Sequence, residues 1–138
     1  MGYAVLGAWI IQALVGVTLF VSWLRHGRGQ SARLIVTHAV MMVSFLVPWV
    51  AFIATSGPVW AWVGFGILLV FIGFGDYAVV QRTRAVRGET NRGLRDELLA
   101  VKMALSGRFG RTLVFHAIWS PVVFFGALGI AIGATVAG

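Results

Sequence analysis

The sequence predicts an all-α membrane protein. It is expected to form a four-transmembrane-helix up-down bundle with both chain ends outside (N-out/C-out), and a cytoplasmic amphipathic helix between its third and fourth spans. Three observations predict this. Of the 138 residues, 59% are hydrophobic and only 11% are charged, against about 25% charged in a soluble domain. Mean hydropathy is +0.93, so too few polar residues exist to cover the outside of a soluble core. The eleven Lys and Arg residues fall in only two segments between apolar stretches, the pattern that orients spans in a bilayer.

The elements follow in order within a single domain, residues 1–138. The first apolar stretch, residues 3–24, is followed at once by Arg25, His26 and Arg28. It is long enough to cross about 30 Å of hydrocarbon. A cleaved signal peptide carries its positive charge before a shorter apolar core; here the charge follows, so the stretch is expected to stay as a helix. The second stretch, residues 34–55, ends at the uncharged turn Thr55-Ser56-Gly57-Pro58. The third, residues 59–80, begins immediately afterwards, and so tight a connection implies an antiparallel hairpin. The fourth, residues 112–136, carries no charge after Arg111.

Arg25, Arg28 and Arg33 lie between the first two spans, and the other eight basic residues, Arg82 through Arg111, lie between the third and fourth. Both loops are expected in the cytoplasm. That places Met1 and Gly138 outside, with Trp60 and Trp62 as an outer aromatic anchor, in the inner (cytoplasmic) membrane of a bacterium. A formal charge of +7 would raise nucleic acid as a partner of a soluble protein. Here orientation accounts for the cations, and the expected partner is the lipid bilayer, with no nucleic acid. Between the third and fourth spans, Leu94, Leu98, Val101 and Leu105 recur at helical spacing, while Arg95, Asp96 and Lys102 fall elsewhere. This predicts an amphipathic helix over about residues 93–106, lying on the membrane surface and attracted to anionic lipid, or docking a cytoplasmic partner. Gly129-x-x-x-Gly133 is a spacing for close helix approach, and Pro48 and Pro121 are expected to bend the second and fourth spans.

With no cysteine, disulfides, thiolate-held iron–sulfur clusters and covalently attached haem are excluded. No phosphate-binding glycine loop and no Ser-His-Asp or paired-carboxylate arrangement is present. Ionisable residues inside a span are costly and mark function, and three qualify: His38, Asp76 and His116. His38 follows Arg33 by five residues and His116 follows Arg111 by five, which puts both about 7.5 Å inside the charged layer. Their spans run in the same direction, so the imidazoles share a level. The flanking sequences, Arg33-Leu-Ile-Val-Thr-His38-Ala-Val and Arg111-Thr-Leu-Val-Phe-His116-Ala-Ile, agree at four of eight positions. That is consistent with a duplicated hairpin, although the first and third spans show no counterpart.

Two imidazoles at one level on different helices match the two axial positions of a haem b. Arg25, Arg33 and Arg111 are then the propionate partners, and Met42, Phe45 and Phe115 the apolar wall. Asp76, six residues before Arg82, sits about 9 Å inside the same layer. It can accept a ring N–H from a ligating histidine, relay protons, or pair with Arg82 or Arg84. His26 lies at the membrane edge, either solvated or as an additional ligand. With another transition metal such as zinc or iron, the set would be His26, His38, His116 and Asp76. Met41 and Met42 keep a His/Met site open. Against all of these, a histidine in a span also serves by hydrogen-bonding across helices.

At the His38 and His116 level, the chain resembles small four-helix b-type cytochromes and the haem-bearing membrane anchor subunits of respiratory enzymes. The resemblance covers the four spans and rests on two residues. It implies electron transfer, with a quinone or a redox partner subunit completing the path, and it departs from two-haem cytochromes, which need four histidines in the spans. Two other classes remain: a non-catalytic accessory subunit of a larger membrane complex, and a small proton-coupled transporter using Asp76 and the histidines. A homo-oligomer or a place in a complex is expected in each case.

Overall fold

A computed structural model describes residues 2–27, 31–88 and 94–137. Met1, Arg28, Glu89, Arg92, the start of the amphipathic helix at residue 93, Gly138, and the side chains of Leu94 and Arg95 lie outside the described residues. The elements are α1 (Gly2–His26), α2 (Ala32–Ser44), α3 (Leu46–Thr55), α4 (Pro58–Arg87), α5 (Leu94–Leu105) and α6 (Arg111–Ala137). Four stretches are long and apolar enough to cross a membrane: α1, Ala32–Thr55 (α2 with α3), α4 and α6. The protein is an all-helical, multi-pass membrane protein.

Each long helix packs against two others. α1 contacts α6 and the α2–α3 pair, and α4 contacts the same two, so α2 and α6 face each other across one diagonal of the bundle. Indole N–H groups tie antiparallel neighbours together. Trp119 Nε1 donates to the Ala8 carbonyl at 2.9 Å, Trp9 Nε1 to Met42 at 3.2 Å, and Trp49 Nε1 to Gly2 at 3.0 Å. Away from water an unpaired N–H costs several kcal/mol, so these bonds fix which helix lies beside which.

The second span is two helices rather than one. Pro48 has no N–H to give the Ser44 carbonyl, and the helix steps at Phe45; the backbone ladder resumes with Trp49 N–H to the Phe45 carbonyl at 3.2 Å. Pro121 lies inside α6, which stays continuous. The third span runs past the expected end at residue 80 to Arg87, where Gly88 (φ 67°) stops it in the left-handed region that glycine adopts without strain.

Dense packing occupies the half of the bundle remote from the basic loops. Phe45 and Trp49 are wholly buried and stacked at 5.0 Å, against Ala61 of α4 and Ala127 and Ala131 of α6, also wholly buried. At Gly64 a Cβ would stand 3.2 Å from Trp49, so a small residue is needed there. Gly129 and Gly133 have nothing within 4 Å. The expected close approach at that motif is not made within the chain; it occurs instead at Gly64, Gly75 and Gly126. In the basic half, residues 10–26, 32–44, 69–79 and 111–122 include no buried residue.

α5 packs on α4 and α6 through Ala100 and Ala104. The buried Asp96 accepts from Arg84 Nε at 2.9 Å, and Arg82 lies over the Phe109 ring at 4.7 Å. Leu98, Val101 and Leu105 face outward, 72%, 57% and 48% exposed.

A histidine layer as candidate functional site

The site is built from helix register. Trp9 of α1 is bonded to the Met42 carbonyl of α2. Moving three residues along α1 reaches Gln12, about 4.5 Å nearer the basic end. The same step along the antiparallel α2 leads from Met42 toward His38. Gln12 Nε2 in turn donates to the His116 carbonyl of α6 at 3.0 Å. His38 and His116 therefore stand at one level on the diagonal pair of helices, which run parallel to each other, and they are within electrostatic reach of each other.

The His38 ring lies against α4. Its Nδ1 is 2.9 Å from the Phe71 carbonyl, and since a carbonyl only accepts, Nδ1 carries a proton, which in the neutral imidazole leaves the lone pair on Nε2. The ring rests on Gly75, where a Cβ would come within 2.8 Å of Cε1 and 3.1 Å of both ring nitrogens. His116 lies near Gly16 of α1 more loosely, since a Cβ there would stand 3.5 Å from its Cε1, an ordinary contact. His116 Nδ1 is buried without a hydrogen-bond partner, and so is Gln12 Oε1. Two buried, unpaired polar atoms in one layer call for a ligand or ordered water.

No protein-family model, curated protein or solved structure matches this chain. Any functional reading therefore rests on the residues and their geometry.

The layer takes in some of the residues singled out from sequence and not others. Asp76, next to Gly75, is within electrostatic reach of His38, but the acceptor of the His38 ring N–H is the Phe71 carbonyl, not the Asp76 carboxylate. Arg84 pairs with Asp96 and Arg82 stacks on Phe109, so the arginines expected beside Asp76 are engaged elsewhere. His26 is exposed at the end of α1, with its Nδ1 3.1 Å from the carbonyl of Ser22 on its own helix. Among the described residues, no three His, Asp or Glu side chains converge as a metal site. The four residues of the expected small-ion set, His26, His38, His116 and Asp76, are thus not gathered as a group, since His26 is turned onto its own helix. Arg25, Arg33 and Arg111 are exposed at the basic ends of α1, α2 and α6, and Arg33 lines a shallow cleft with Tyr77 and Gln81.

Gln12 is the member of the layer that the sequence reading passed over. The signal was there: it is the one amide inside the first apolar stretch, and an uncharged polar side chain in a span also seeks a partner.

Proposed function

We propose that the protein is a membrane-embedded b-type haem protein or subunit taking part in electron transfer, its basic loops in the cytoplasm, with His38 and His116 as the residues that would hold the haem. The observation that carries this reading is the pairing itself. Two imidazoles occupy one level on diagonal, parallel helices, where residues 32–44, 69–79 and 111–122 include no buried residue.

The donor set suits the group. His38 is held by its Nδ1–H bond to Phe71 with Nε2 left as the ligating atom, the arrangement in which a second bond orients a metal-bound imidazole. His116 brings a buried ring nitrogen that lacks a partner. Glycine at position 75 keeps side-chain bulk away from the His38 ring. When bound, the haem iron would exchange one electron between its ferric and ferrous states. The chain's own residues would hold the pair in place, exclude water through the aromatic core beyond it, and neutralise the propionates with Arg25, Arg33 and Arg111. Asp76, near His38, would place a carboxylate where a proton accompanies the electron.

The test is the visible spectrum of the protein expressed with ample haem, as isolated and after dithionite. Sharp reduced bands are expected, lost in both His38→Ala and His116→Ala while each variant still elutes as a folded species. A flat spectrum at full haem supply, with no bound metal by elemental analysis, sinks the reading. A second reading, a non-catalytic accessory subunit, is favoured by the outward Gly129 and Gly133, which leave open space for a helix of another chain.

A further inference from the structure

Between α1 and α6 the histidine layer holds two polar atoms that a single donor could join. Gln12 Nε2 donates to the main-chain carbonyl of His116 at 3.0 Å, which brings the amide group of α1 to the turn of α6 that carries the imidazole. The other polar atom of that amide, Oε1, is buried without a partner, and so is Nδ1 of the His116 ring. One helical turn further along α1 is Gly16, where a Cβ would stand 3.5 Å from the His116 Cε1. Cε1 is covalently joined to Nδ1, so the unpaired nitrogen is one bond away from the part of the ring that meets α1.

The chemistry of the two atoms decides which one donates. An amide oxygen only accepts, whereas an imidazole nitrogen donates when it carries the proton and accepts when it does not. With the proton of the neutral ring on Nε2, Nδ1 and Oε1 would be two buried acceptors, each bearing the penalty of an unpaired polar group away from water. A water donating to both would keep its own oxygen unpaired. With the proton on Nδ1, a donor and an acceptor stand in one layer, and a direct bond or a single ordered water joins them. His38 already takes this form, its Nδ1–H bonded to the Phe71 carbonyl. The two rings are then held alike, one by a main-chain oxygen of α4 and the other by a side-chain oxygen of α1.

We infer that Gln12 is the positioning residue of His116: its amide oxygen takes the ring Nδ1–H, which orients the imidazole and leaves the lone pair on Nε2. The tautomer stands on the geometry between α1 and α6 alone. Its consequence for iron rests on the haem reading: both histidines offer Nε2, and an accepting oxygen behind a metal-bound imidazole raises the basicity of the ring.

The experiment is nitrogen NMR of the isotopically labelled full chain in detergent, before haem is supplied, with the His116 signals identified by their loss in His116→Ala. In the wild type, His116 Nδ1 should resonate as a protonated nitrogen and Nε2 as an unprotonated one. Gln12→Leu should move the ratio of the two tautomers about tenfold toward Nε2–H, the equivalent of about 1.4 kcal/mol, and leave His38 unchanged. Gln12→Glu, which keeps an accepting oxygen whether or not it is ionised, should stay with the wild type. A wild-type His116 with a proton on Nε2 overturns the inference without any variant, and so do Leu and Glu variants that behave alike. In haem-loaded protein the midpoint potential should rise in Gln12→Leu and stay at or below wild type in Gln12→Glu; a merely structural role would shift both the same way and overturn the assignment. A flat visible spectrum at full haem supply, with His116 protonated on Nδ1 alone, sinks the haem reading and leaves the role of Gln12 standing. Sharp haem bands, with the haem-free ring protonated on Nε2, do the reverse.

Discussion

Gly75 shows how much one missing methyl group decides. Its Cβ would fall 2.8 Å from the His38 ring, closer than atoms pack, so Gly75→Ala forces the ring off the Phe71 carbonyl. Overpacking of this kind costs about 1–3 kcal/mol, and thermal unfolding in detergent should register it. Gly16→Ala is the matched control: 3.5 Å from His116 Cε1 is ordinary contact, and the change should stay within about 0.5 kcal/mol. Equal effects at the two positions would refute this account of the His38 packing. The depth of His38 and His116 was legible in the sequence, because counting residues from Arg33 and Arg111 measures distance along a helix. The hydrogen-bond acceptor for His38 was not legible. It is a main-chain carbonyl on α4, and any residue type offers one; only the packing of α2 on α4 selects Phe71.

At the scale of the element, α5 is held by one ion pair and a strip of small residues. Removing Arg84 leaves the buried Asp96 carboxylate without its donor, a loss of about 1–3 kcal/mol. Since α5 bridges rather than spans the bundle, the cost should appear locally. In Arg84→Ala, hydrogen exchange should speed up in Leu94–Leu105 while α1, α4 and α6 keep their protection; uniform loss across all helices would argue against a separately docked α5. The periodicity of Leu98, Val101 and Leu105 announced an amphipathic helix, and the structure agrees on the helix. Which face turns to the bundle was a subtler matter. Ala100 and Ala104, too small to stand out in a hydrophobic pattern, make the contact because small side chains let helices come close, and the larger residues face away. The step at Phe45 follows from Pro48 and was foreseeable; the extension of α4 to Arg87 was not, because charged residues hide a continuing helix from a hydropathy reading.

For the whole molecule, stability is concentrated at one end. Lipid is as apolar as the core, so a buried aromatic contributes mainly through packing. Trp49→Ala should therefore cost about 3 kcal/mol, the low end for a buried aromatic, whereas Phe115→Ala, at a residue 44% exposed in the loosely packed half, should cost well under half as much by thermal unfolding. Orientation is testable in the same molecule, which has no cysteine of its own. A membrane-impermeant thiol reagent should label Val136→Cys in intact cells and Ser106→Cys only after permeabilisation; the reverse pattern would turn the protein over. The number of spans, their order and the gathering of basic residues at one end were all determined by the sequence alone, because hydrophobic length and loop charge act residue by residue and need no partner. The tertiary structure alone decided that α2 and α6 lie across a diagonal, that Gln12 joins the histidine layer, and that Gly75 rather than the Gly129–Gly133 motif makes a close contact. Those facts depend on which helix faces which, and that choice is made by indole hydrogen bonds, small residues and packed rings acting between segments far apart in the chain.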